Sequence, residues 1–98
     1  MAAPEVWVAK DDGSDLIRAD AIVAVGREYT GTVTVRLGGG EGAAVTLVTV
    51  VSHEGKHTPG DFHRQLVRVV AQLSDAAQAA VVRPVWDDHG WRWATEPL

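Results

Sequence analysis

One stretch of this chain carries a clear helical period, and it limits what the rest can be. From Asp61 onward, Phe62, Leu66, Val69, Val70, Leu73, Ala76, Ala77 and Ala80 recur at three- and four-residue spacing, which gathers them on one arc of an α-helix. Arg64, Arg68, Gln72, Asp75 and Gln78 fall on the opposite side. Asp61 is a good N-cap residue, because its side-chain oxygen can accept from the free N–H groups of a first turn. Ser74-Asp75 offers a point at which a shorter, Ala-rich second helix can be recapped. A single amphipathic helix has to bury its stripe against something, and the remaining sequence reads as β-structure.

Val6 to Val8 predicts a short strand, ended by the turn-rich Lys10-Asp11-Asp12-Gly13-Ser14. Leu16 to Val25 predicts a second strand, with Ile17, Ala19, Ala21, Val23 and Val25 on one face. After a polar connection over Gly26 to Gly31, Thr32 to Leu37 alternates strictly, placing Val33, Val35 and Leu37 inward. Gly38 to Gly42 predicts a hairpin loop, since glycine supplies any positive φ the turn requires. It lacks the lysine and Ser/Thr of a phosphate-binding loop and precedes a strand. Ala43 to Ser52 is rich in β-branched residues and predicts a fourth strand. At the C-terminus, Val81 to Trp86 and Trp91 to Thr95 flank Asp87-Asp88-His89-Gly90 as a second hairpin. Pro84 suggests that its strand lies at a sheet edge.

The expectation is an α+β fold. An antiparallel β-meander of about four strands is packed by one main amphipathic helix and followed by a C-terminal β-hairpin. With 98 residues, positions 1–98 form a single small globular domain with one core. An apolar fraction of 46% and a charged fraction of 22% are those of a globular chain. No cysteine is present, which removes disulfides, thiolate metal sites and cysteine nucleophiles. Met1 to Glu5 has no basic segment leading into an apolar run, so no signal peptide is expected. The longest strongly apolar stretch, Ala43 to Val51, is too short to span a bilayer. The expected location is cytoplasmic, with no membrane partner. A net charge of −4 disfavours nucleic-acid binding, which draws on clustered Lys and Arg to displace counterions. Arg64 and Arg68, one helical turn apart, are the one local basic pair that stands out.

His53-Glu54-Gly55-Lys56-His57-Thr58-Pro59-Gly60-Asp61-Phe62-His63 spells H-E-x-x-H-x-x-G-x-x-H, which resembles the zinc-binding signature of metzincin metalloproteases. The resemblance implies zinc held by His53, His57 and His63, a turn at Gly60, and Glu54 as general base on metal-bound water. Such a site needs its first two histidines on one helix. Here the β-branched run Val45 to Val51 leads into the motif, and Gly55 and Pro59 both oppose helix formation across it. The methionine turn of that family has no counterpart, because the one methionine is Met1. The favoured reading is therefore a polar strand-to-helix loop, with no cofactor and no catalytic residue. A zinc-binding protein or metzincin-like metallohydrolase is the alternative.

Trp86, Trp91 and Trp93 lie within eight positions. If Trp86 pairs with Trp91, these two share a face with Pro84 and Trp93. Such a cluster can cap the open end of a core or anchor a protein partner. The functional expectation is a small non-enzymatic binding or regulatory module, acting through a protein–protein surface at Trp86, Trp91 and Trp93 that can be a homodimer contact.

Overall fold

The computed structural model describes residues 5–38, 44–48 and 57–98. The α+β expectation holds: one helix packs on β-strands that close with a C-terminal hairpin. The strands are divided between two sheets. The first has the order β2-β1-β6-β7, built from β1 (Val6–Ala9), β2 (Leu16–Arg18), β6 (Ala80–Asp87) and β7 (Gly90–Pro97). The second is an antiparallel meander, β3-β4-β5, built from β3 (Ile22–Arg27), β4 (Val33–Leu37) and β5 (Ala44–Val48). The expected strand from Ala43 to Ser52 thus includes β5, and its flanks lie outside the described residues.

The chain changes sheets inside the segment expected to be one strand, Leu16 to Val25. A single 3-10 turn over Ala19–Ala21 divides it, leaving β2 on one sheet and β3 on the other. The inward face changes as well. Ile17 is buried, yet Val23 is 69% exposed, while Ile22 and Val25 pack against the core. A bulge between Ile22 and Ala24 supplies the extra residue that lets two positions three apart share a face. Simple alternation cannot anticipate either device.

β1 runs parallel to β6, with Val6 opposite Ala80 and Val8 opposite Val82. These two central strands carry core residues Val6, Val8, Ala9, Ala80 and Val82. β6 is therefore interior, not the edge strand that Pro84 suggested. The proline is tolerated because the β1–β6 pairing ends at Val8↔Val82, so no donor is required of Pro84 on that side. Counted from the hairpin's closing pair Asp87↔Gly90, the pair Pro84↔Trp93 is also a non-hydrogen-bonded one.

Helix α1 (Phe62–Asp75) covers both sheets, touching β1, β3, β6 and β7. Phe62, Leu66 and Leu73 are its buried residues, and each contributes roughly 1.5–3 kcal/mol by leaving water. They meet Val6, Val8, Ile17, Val33, Val35, Val82 and Trp93 in one core. α1 stops earlier than the apolar spacing suggests. Gln78 N–H donates to Leu73 O and Ala77 N–H to Ser74 O, with Ala77 at φ 54°. This double bond pattern closes the helix end, so no second helix is recapped at Ser74. Ala80 then belongs to β6.

Candidate functional site

The tryptophan hairpin forms as expected, with Trp86 opposite Trp91 and Pro84 opposite Trp93. Its three indoles have different surroundings. Trp93 is buried, stacks on Phe62 with ring centroids 4.5 Å apart, and donates its Nε1–H to the Phe62 carbonyl at 2.8 Å. Trp91 lies 6.5 Å from Phe62, tilted, and meets Trp86 edge-on at 5.6 Å. Trp86, at the outer end of this row, is 39% exposed. Trp93 is thus a core residue, and the exposed tryptophan surface is mainly that of Trp86.

The histidine string is not carried by one helix. His57 is exposed and non-helical, and α1 begins only at Phe62. Pro59 O accepts from Phe62 N–H at the helix start. His63 is the second residue of α1, partly buried, with its Nδ1 enclosed and without a hydrogen-bond partner. His53 and Glu54 lie outside the described residues. Among the described residues, no group of three His, Cys, Asp or Glu side chains is placed to hold a metal.

Thr58 makes the loop structural at that point. Its hydroxyl donates to Gly31 O at 2.7 Å and accepts from Arg27 Nε at 3.0 Å. Arg27 Nη2 also donates to the Thr58 carbonyl at 2.8 Å. Thr58 is 3% exposed, so this three-way contact ties the approach to α1 onto the β3–β4 turn. The sequence offers little to reveal it, because Arg27 and Thr58 are 31 positions apart and both read as loop residues.

Asp61 occupies the N-cap position, but its side chain does not cap. Its carboxylate accepts from Gln65 Nε2 at 2.9 Å and from Arg68 Nη2 at 3.3 Å along the helix surface. The Gln65 hydrogen bond, then its own backbone N–H and then Arg68, hold the Asp61 carboxyl below its ordinary value against an opposing effect of burial.

An apolar recess lies elsewhere, between β3 and α1. Ala19 and the consecutive residues Ile22, Val23, Ala24 and Val25 line one wall. Leu66, Val67, Val70 and Ala71 line the other, enclosing about 330 Å³. Val23 and Val67, 69% and 54% exposed, belong to these walls. The bulge between Ile22 and Ala24 interrupts the strand's alternation, so residues from both sides of it reach this recess. β3 is an edge of its sheet, paired with β4 among the described residues. Next to it, a larger, more open depression of about 680 Å³ is lined by Val25, His63, Arg64, Val67 and Arg68. It shares Val25 and Val67 with the apolar recess, so the groove opens onto a basic mouth. The sequence signal for this site is Val67, a lone valine between Arg64 and Arg68 on the polar side of the helix.

No helix among the described residues is long and apolar enough to cross a membrane. Set against protein-family models, curated proteins and solved structures, the chain matches none.

Proposed function

We propose that this protein is a small non-enzymatic binding module that works through a protein–protein surface in the cytoplasm. The observation that carries this reading is the groove between β3 and α1, where, among the described residues, an edge strand and apolar helix residues lie uncovered side by side. Exposed valines on both walls favour an apolar partner, because covering them removes that surface from water. Trp86 adds a second exposed apolar group at the far end of the C-terminal hairpin. In this reading nucleic acid is not the partner, in keeping with a net charge of −4.

In-cell photo-crosslinking tests the proposal. A benzophenone side chain at position 67 is expected to give one discrete adduct, while the same group at exposed Thr95 gives none. An adduct of about twice the chain's own mass identifies a homodimer; any other discrete mass identifies a different protein. If neither position gives an adduct, the binding reading fails.

A further inference from the structure

The groove's geometry is specific about what fits it. A β-strand edge offers main-chain N–H and C=O groups at a regular spacing, and an extended segment satisfies them by pairing as an added strand. Glu28 N–H donates to Thr32 O across the β3–β4 turn. Alternation from that pair directs the main-chain groups of Ala24 and Gly26 toward β4 and those of Val25 toward the open edge. Across the recess the helix presents exposed Val67 and Ala71 and half-buried Val70 above the buried Leu66, which suits apolar side chains at alternate positions of the incoming strand.

Charge distinguishes the two ends. The mouth, at the C-terminal end of β3 and the first turns of α1, carries Arg64 and Arg68, with Asp61 as Arg68's partner at 3.3 Å. Arg64 has no such acidic partner among the described residues. A positive charge unpaired among the described residues, beside an apolar groove, complements a single negative charge on the occupant.

We propose that the β3–α1 groove binds an extended peptide segment as a fourth strand beside β3. The segment carries alternating apolar side chains and a carboxylate at the end that meets Arg64. This rests on the binding-module reading above and names the partner's chemistry. The carboxylate can come from an acidic side chain or from a chain terminus.

Selection of random octapeptides on the full chain, followed by fluorescence anisotropy with the selected peptides, tests this. Each peptide is measured as its free acid and as its C-terminal amide. Loss of binding in the amide assigns the carboxylate to the terminus; retention assigns it to a side chain. Val67→Lys is expected to weaken binding by about tenfold or more, equivalent to about 1.4 kcal/mol, and Arg64→Glu to weaken it while reversing the preference for acid. Val23→Lys, on the opposite wall, gives an independent second variant; both valines are exposed, and circular dichroism verifies the fold. N-methylation at alternate peptide nitrogens is expected to abolish binding for one alternate set and spare the other, the mark of strand pairing. The proposal is overturned if no peptide is enriched, if both valine variants bind like wild type, or if the two N-methyl sets behave alike. Any of these results alongside a discrete crosslink from position 67 removes strand addition while leaving the binding module; loss of both removes the two together.

Discussion

Trp93 and Phe62 are joined twice: their rings stack 14° from parallel, and the Trp93 indole N–H donates to the Phe62 carbonyl. The hydrogen bond fixes the start of α1 against β7, while the stacking closes the core beneath it. Both residues are buried, so the indole N–H would otherwise lose its water partner without replacement.

Trp93→Phe retains an aromatic ring and removes the donor. It is expected to destabilise the fold by about 1–2 kcal/mol, combining one hydrogen bond with lost ring area. Trp93→Ala is expected to cost about 3–5 kcal/mol, whereas Trp86→Ala costs much less because Trp86 is partly in water. Urea unfolding of the three variants tests the order; equal losses at positions 86 and 93 would contradict it.

Thr58→Val keeps the shape of the side chain and removes the hydroxyl that joins Gly31 O to Arg27 Nε. A buried carbonyl and part of a guanidinium then lose a partner, which is expected to cost about 1–3 kcal/mol. Thr58→Ser keeps the hydroxyl and is expected to recover most of the loss. Thermal unfolding of the pair separates the hydrogen bond from packing.

Ala77 holds φ at 54° to end α1, a region where a Cβ crowds the backbone. Ala77→Gly is expected to stabilise the protein by roughly 0.5–1 kcal/mol despite glycine's larger unfolded-state entropy. A rise in the denaturation midpoint at unchanged slope would establish it, and a fall would refute the closing geometry.

The Asp61 carboxyl should titrate below the ordinary 3.8 in the folded protein, chiefly through Gln65, with its own backbone N–H and Arg68 adding to it. Because the folded value is depressed, its contribution to stability is present above the unfolded value and disappears as pH falls through the folded one. Carboxyl chemical shifts followed through an acid titration should show the midpoint rising in Gln65→Ala. An unmoved midpoint would assign the depression to another group.

The sequence by itself determined the helix, most of the strands and the hairpin pairing of Trp86 with Trp91. Each of these follows from local periodicity: three- and four-residue spacing for α1, alternation for β4, and a polar turn of Asp87 to Gly90 for β6–β7. The same local reading shows why the histidine string is divided, since Pro59 and Asp61 mark a helix start between His57 and His63. Only the tertiary structure decided that the strands form two sheets, because the 3-10 turn at Ala19–Ala21 and the bulge beside Ile22 leave no periodic trace. It also decided which tryptophan is core and which is surface. Trp86 and Trp93 lie on one face of the hairpin, and their difference depends on where Phe62 docks. The groove is the clearest case: Val23 and Val67 are 44 positions apart in the sequence, and only the packing of an edge strand beside a helix makes their exposed side chains one surface.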